Sequence, residues 1–346
     1  MRILIIGGTR FIGPYVVSSL HQKGHEITVF HRGKTKSELP SGVNTLHGDR
    51  RQLTDFRKEL RSSNPDIVLD MIPIVEQDAI SINEVFKGVA QRVVAVSSQD
   101  VYRAYGVLNN KEPGPADPVP LTEKSPLRQK LYPYRGENLR DSKDPLKLMD
   151  DYDKILIERV YLKNPDLHGT ILRLPMVYGP GDYQHRLFEF LKRMDDSRPV
   201  ILLSESLAGW RWTRGYVENV ASAISMAVVN NNAAGNIYNI GEQETLTMAE
   251  WGRKIGDAAG WHGKIMIVPD GKMPEHLLPG MNTSQQLVTD TSLLRSELKY
   301  SEHIQQHEAL KRTIKWERAN PPEKIPAGTF DYASEDTIIE KLDRIS

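Results

Sequence analysis

The chain has 346 residues, 39% of them hydrophobic, which is enough for one large domain with a smaller one appended. Lysine plus arginine and aspartate plus glutamate each number 45, so no net field steers the whole molecule onto nucleic acid or an anionic membrane, and any anion site must be local. Cysteine is absent, which removes disulfides, zinc-thiolate sites and a thiolate nucleophile together.

Met1 leads directly into a strand-like segment, without the separate apolar region and small-residue cleavage site of a signal peptide, and no later apolar run approaches bilayer length. The expectation is a soluble cytoplasmic protein with no membrane partner. Residues 2–6 form a continuous apolar run, as in a strand buried on both faces of a parallel sheet. A helix is expected from about Gly13 to Lys23. Glu26 to Phe30, Asp66 to Asp70 and Arg92 to Val96 read as the second, fourth and fifth strands, with polar helical segments between several of them. That alternation predicts a doubly wound α/β sheet.

From Tyr102 to Asp151 the chain is rich in proline, glycine and charge, and helical periodicity resumes over Tyr152 to Leu162. Long irregular stretches usually carry function, so this one is placed beside the active site. Thr170 to Leu174 is a further strand, and the signals shorten beyond Gly181. The expected organisation is a dinucleotide-binding unit over 1–180, with an irregular insert at about 103–150. A mainly substrate-binding unit follows over 181–346, parts of which cross back to the sheet.

Gly7-Gly-Thr-Arg-Phe-Ile-Gly13 follows the first strand and precedes the first helix. A glycine turn in that context offers backbone N–H groups and the positive end of a helix dipole to a pyrophosphate. Gly7, Gly8, Thr9, Arg10, Phe11, Ile12 and Gly13 are therefore cofactor-binding candidates. The end of the second strand carries His31 and Arg32 and no acid. A carboxylate there would favour NAD through the ribose hydroxyls, whereas an arginine accepts the 2′-phosphate of NADP. NADP is expected ahead of NAD.

These motifs resemble the extended short-chain dehydrogenase/reductases, the NAD-dependent epimerase/dehydratase family, which carry Gly-x-x-Gly-x-x-Gly where this chain has Gly7, Arg10 and Gly13. Arg10 is a departure that also looks like a divergent branch of the family, including chloroplast stem-loop RNA-binding proteins with a Gly-Gly-Thr-Arg-Phe turn, and it suggests added phosphate recognition. The resemblance implies a Rossmann-type sheet with a smaller C-terminal α/β substrate domain. It assigns adenine contact to Asp49, with Arg50 beside it.

In the stretch resembling the family's Ser-Ser-x-x-Val-Tyr, Ser98 takes the place of the catalytic hydroxyl. Asp100 stands where dehydratases and decarboxylases of the family tend to place a carboxylate, which could move a proton during elimination. The helix resembling Lys-x-x-x-Glu makes Lys154 the lysine that binds the nicotinamide ribose and lowers the pKa of a tyrosine base. Four residues earlier the chain has Asp150 in place of that tyrosine. Tyr152 and Tyr134 are the two candidates for it. Tyr152 would face away from Lys154 on a regular helix but not if the helix begins between them. Leu172 to Gly181 resembles the family's Arg-x-x-x-Val-Tyr-Gly-Pro-Gly, making Leu174, Pro175 and Met176 the expected cofactor wall.

On the substrate side, relatives that bind nucleoside diphosphate sugars place an arginine where this chain has Trp212, flanked by Arg211 and Arg214. An anionic substrate remains open. The same Trp210-Arg-Trp-Thr-Arg214 run has the composition of a single-stranded nucleic-acid platform, which zero net charge disfavours. The histidines show no metal-ligand spacing. Asp150-Asp151 and Asp195-Asp196 read as helix caps or solvated turns, so no metal is expected. A homodimer stays open.

The leading expectation is an epimerase/dehydratase-like enzyme acting on a sugar nucleotide or similar polyol through a transient ketone. A carbonyl reductase using NADPH and a catalytically silent NADP-binding or RNA-binding relative are the alternatives.

Overall fold

The computed structural model describes residues 1–35 and 39–343. The first half of the chain forms β1 (Arg2–Ile6), β2 (Glu26–His31), β3 (Asn44–His47), β4 (Ile67–Asp70), β5 (Arg92–Ser98) and β6 (His168–Leu174), the third of them without an apolar run. Further strands follow: β7 (Met176–Tyr178), β8 (Val200–Ser204), β9 (Arg214–Tyr216), β10 (Ile237–Asn239) and β11 (Lys264–Val268). Seven of them make one sheet in the order β10-β6-β5-β4-β1-β2-β3, with every neighbouring pair parallel. The return of β10 to the sheet edge beside β6 is one of the crossings back that the sequence left open.

The helices of the first half are α1 (Ile12–Gln22), α2 (Arg57–Ser62), α3 (Glu76–Phe86), α4 (Arg103–Leu108) and α5 (Lys154–Leu162). Those of the second half are α6 (Phe188–Asp195), α7 (Glu205–Ala208), α8 (Val217–Val229), α9 (Met248–Ala259), α10 (Ser292–Leu298), α11 (Gln306–Ala319) and α12 (Tyr332–Asp343).

β1 can be apolar at every inner position because both faces are covered. Ile3 and Ile5 join a core with Val16, Val17 and Leu20 of α1 and Val220, Ala223 and Ile224 of α8. Leu4 and Ile6 face the opposite layer, with Ile82 and Phe86 of α3 and Ile157 and Tyr161 of α5. Successive residues of a strand point to opposite faces, so one run feeds two cores.

Strand order reverses between β1 and β4, and the crevice outside the carboxyl ends of such strands is where open α/β sheets take ligands. Ile6, Asp70, Ser98 and Leu174 are the last residues of β1, β4, β5 and β6. Beyond this sheet, β7 pairs with β9 and β8 with β11. α12 closes the second of these pairs. Ile338 and Ile339 pack on Val200, Leu202, Val268 and Met273, and Glu335 takes the Arg193 guanidinium at 2.7 Å.

The helix expected over 152–162 begins at Lys154, because the Asp153 side chain accepts the Ile155 N–H at 2.9 Å and caps it. Asp150 is neither a cap nor solvated. It is fully buried, accepting the Arg140 N–H at 2.8 Å and pairing with the Arg140 and Lys147 side chains. Most of the 103–150 insert is irregular, as expected, apart from α4 and a single 3-10 turn over 147–150.

Candidate active site

The glycine turn is built from conformations few residues accept. Gly7 and Gly8 have φ of 93° and 87°, in the left-handed region. Gly13 faces the Gly8 backbone so closely that a Cβ added there would stand 2.4 Å from the Gly8 Cα. This contact brings the first turn of α1 against the end of β1, and no side chain caps that helix. Uncapped N–H groups, a dipole end and a surface without Cβ atoms are the requirements of a pyrophosphate cradle, so the residues present fit a dinucleotide. Phe11 has φ of 48° and lies beside Gly181, where a Cβ would come within 3.5 Å of the Phe11 Cα. The Gly-Pro-Gly segment after β7 therefore meets the cradle.

Arg10 leaves the turn and donates from Nε to Thr35 Oγ1 at 3.1 Å, joining the cradle to the loop after β2. Arg32 in that loop is exposed. His31 accepts the Gly33 N–H at Nδ1 and packs edge-on against His47. Asp49 is gripped by Arg51, which donates at 2.7 Å and holds the carboxyl at about 2, well below its ordinary value.

Arg50 is differently employed from the expectation. Its guanidinium reaches Asp70 at 2.6 Å and Asp78 at 3.0 Å, and Tyr161 donates to the same Asp70 at 2.7 Å. With its charge on two buried carboxylates, Arg50 ties the end of β4 to the start of α3.

At the end of β5 the candidates converge. Ser98 Oγ accepts the Asp100 N–H at 3.2 Å. Tyr152 donates to Asp100 Oδ2 at 2.8 Å, and Tyr134 donates to the same oxygen at 3.1 Å. The structure thus brings both tyrosine candidates to one carboxylate. Tyr152 reaches it because it precedes the helix and escapes the helical phase that would have turned it away.

Asp100 is 5% exposed, and its Oδ1 is buried without a hydrogen-bond partner. Burial raises its pKa, opposed by nearby Arg128 and by the Tyr152 hydrogen bond. The Tyr152 phenol is also pushed up, first by burial and then by the Asp100 charge, while Ser98 acts in the other direction. Lys154 donates to the carbonyls of Pro73 and Val96, and burial lowers its pKa to about 8. Its Nζ lies 5.6 Å from the centre of the Tyr152 ring. Leu174 pairs with Ser98 in the sheet, so the end of β6 adjoins this cluster, and Pro175 and Met176 continue from it into β7.

Two participants escaped the sequence reading. Tyr105, on α4, shares a 3.1 Å hydrogen bond with Tyr134. Arg128 donates from Nε to the Asp100 carbonyl at 2.5 Å and also meets Asp153. Neither carried a local sign of its role in the sequence. Behind the cluster, Arg173 is paired with Glu158 at 2.7 Å, and Ser97 donates to that same carboxylate at 2.6 Å. This buried network fixes β5, β6 and α5 relative to one another.

On the substrate side the two arginines part company. Arg214 is buried, lies 4.4 Å above the Trp251 ring and donates to the Trp212 carbonyl at 3.2 Å. Burial lowers its pKa to about 10. Arg211 donates to Gln286 at 2.8 Å and lines a cleft of about 1050 Å³ with Glu244, Gln286, Asp290 and Arg295. None of Ser98, Asp100, Tyr152 or Lys154 lines that cleft. Trp210 is 3% exposed and its indole N–H goes to the Gln285 carbonyl, so it offers no stacking face to a nucleic acid.

The model of the NAD dependent epimerase/dehydratase family matches residues 3–241. The chain belongs to this family. It is 26% identical over 273 residues to chloroplast stem-loop binding protein of 41 kDa b from Arabidopsis thaliana, a match covering 75% of this chain and 64% of that protein. Against 2′-dehydrokanamycin reductase from Streptomyces kanamyceticus the identity is 24% over 278 residues, covering 78% and 70%. The match therefore spans about two thirds of these relatives' own length. The UDP-glucose 4-epimerase of Thermus thermophilus, solved in complex with NAD, superposes with a TM-score of 0.64 at 21% identity, covering 92% of this chain and all of that one. That likeness establishes the fold. Among the described residues no helix is long and apolar enough to cross a membrane.

Proposed function

We propose that the chain is an NAD(P)-dependent enzyme of the epimerase/dehydratase type. It oxidises a carbinol of a sugar nucleotide or similar polyol to a transient ketone and then returns the hydride after epimerisation or elimination. The observation that carries this reading is the delivery of the Tyr152 phenol to Asp100 beside Ser98 and Lys154, despite the broken Tyr-x-x-x-Lys spacing. A catalytically silent relative would need no such convergence.

The bound nicotinamide supplies the hydride acceptor and donor. Ser98 orients the substrate oxygen by hydrogen bonding. Tyr152 takes the hydroxyl proton while passing its own to Asp100 Oδ2, so the buried carboxylate serves in place of a phenolate base. Lys154, with two N–H groups on backbone carbonyls, would hold the nicotinamide ribose through its remaining donor. With the ketone formed, Asp100 can also move the proton that elimination requires. Leu174, Pro175 and Met176 would wall the nicotinamide, and residues 181–346 would carry most of the substrate contacts, Arg211 among them.

Arg10 and Arg32, with no acid at the end of β2, favour the 2′-phosphate of NADP. Calorimetry with NADP and with NAD tests the cofactor reading. NADP should bind the tighter, Arg32→Ala should narrow the gap, and binding of neither would overturn the proposal. Reduced-nicotinamide absorbance during turnover separates retained cofactor from the stoichiometric consumption of a plain reductase. That second reading draws support from the match to 2′-dehydrokanamycin reductase.

A further inference from the structure

We propose that Tyr152, Asp100, Tyr134 and Tyr105 form a proton conduit leading from the reacting oxygen to solvent, with Tyr134 and Tyr105 as relay residues contributed by the irregular insert. The inference rests on the oxidoreductive reading above and extends it to residues that touch neither substrate nor cofactor.

The contacts are continuous, at 2.8 Å from Tyr152 to Asp100, 3.1 Å from Tyr134 to Asp100 and 3.1 Å between Tyr134 and Tyr105. Exposure rises along them. Tyr152 and Asp100 are 7% and 5% exposed, whereas Tyr134 and Tyr105 are half-buried. A phenol both accepts and donates, so each can receive a proton on oxygen while surrendering its own. The Lys154 ammonium donates to the Pro73 and Val96 carbonyls, so the hydrogen bond leaving the Tyr152 phenol runs to Asp100.

The insert is tied down in a way that holds the chain of hydroxyls in register. Arg128 binds the Asp100 carbonyl, the Tyr132 N–H reaches Asp153 at 2.6 Å, and Lys111 holds the Pro133 carbonyl. The Tyr134 ring meets Tyr152 edge-on at 5.0 Å and Tyr105 at 6.5 Å. An aromatic cluster formed only for packing would not need all three hydroxyls on one carboxylate-centred path.

The balance closes in one cycle. The substrate O–H proton moves to Tyr152, whose own proton moves to Asp100, while the carbinol C–H leaves with its electron pair as hydride to the nicotinamide. Asp100 then passes a proton to Tyr134, Tyr134 passes its own to Tyr105, and Tyr105 releases one to water. Every phenol ends neutral and the carboxylate ionised, and when the hydride returns to carbon the path runs in reverse, with Asp100 regaining a proton through Tyr105 and Tyr134 and Tyr152 giving one to the substrate oxygen while taking that of Asp100.

The test reads hydroxyl exchange directly. The full chain, labelled with ¹³C at tyrosine Cζ and saturated with NADP, is examined by NMR in an equal mixture of H2O and D2O. Slow hydroxyl exchange there splits the Cζ resonance. Tyr134→Phe should slow exchange at the Tyr152 hydroxyl by roughly tenfold, one increment of barrier. Tyr105→Phe should slow it less, and Tyr132→Phe, a neighbouring phenol outside the path, should leave it unchanged. Unaltered exchange at Tyr152 in both relay variants would overturn the conduit, as would equal slowing in Tyr132→Phe. Failure of the enzymatic reading appears separately, as absence of NADP and NAD binding in calorimetry.

Discussion

Two buried carboxylates stand near the carboxyl edge of neighbouring strands, and the protein treats them in opposite ways. Asp70, ending β4, receives both arms of the Arg50 guanidinium and the Tyr161 hydroxyl. Asp100, just past β5, receives two phenols on one oxygen and nothing on the other. The nearby Arg128 spends its closest nitrogen on the backbone carbonyl rather than the carboxylate. A charge that is fully paired serves as framework. A charge that is buried and underpaired has its two protonation states brought closer together in energy, which is the condition for exchanging protons at neutral pH.

Breaking the first member of that comparison should have the larger effect on stability. Arg50→Met leaves Asp70 and Asp78 buried without their guanidinium, and removing one partner of a buried pair costs about 3–5 kcal/mol. Urea unfolding should register this as a lower midpoint with an unchanged slope. A loss below about 1 kcal/mol would place Arg50 outside the framework. Asp100→Asn tests the second member. Stability should hold or rise, because a buried charge is removed, while turnover should fall about 10²–10⁴-fold, the usual worth of a positioned acid or base. A variant that unfolds at neutral pH with turnover per folded molecule intact would reverse the assignment of roles.

The same contrast explains what was legible in the sequence. β1, β4 and β5 are shielded on both faces and announce themselves by apolar runs, while the edge strand β3 is largely exposed and carries no such signal. The Gly7–Gly13 cradle is local, so its spacing alone defines it. Asp100, Tyr152 and Tyr134 come from three separate segments, and only the resemblance named them together. Tyr105 and Arg128 were invisible because a hydrogen bond between distant segments leaves no periodicity. Arg50 was placed at the cofactor by its adjacency to Asp49, whereas its partners lie on β4 and α3. The place of Tyr152 turned on where a helix begins, a boundary set by the Asp153 cap, and boundaries of one or two residues are what periodicity resolves least.

The smallest expected effect concerns Lys154, which joins the two regions because it is buried yet held by carbonyls instead of a carboxylate. Its pKa lies at about 8 in the folded chain against an ordinary 10.5. Below about 8 the lysine is a cation in both folded and unfolded chains and contributes no slope. Between about 8 and 10.5 the unfolded chain binds a proton that the folded chain does not, so this group makes stability rise with pH across that window. The cation proposed to hold the nicotinamide ribose is lost over the same interval. NADP affinity should therefore fall above about pH 8, approaching tenfold per pH unit where the cation is required. The two trends run in opposite directions from one titration. Lys154→Met should remove both, which separates them from the other lysines and tyrosines that titrate at alkaline pH. Parallel urea midpoints and NADP dissociation constants for the wild type and Lys154→Met would show this. If affinity stays flat while the stability slope survives, Lys154 is a buried structural lysine and its contact with the ribose must be abandoned.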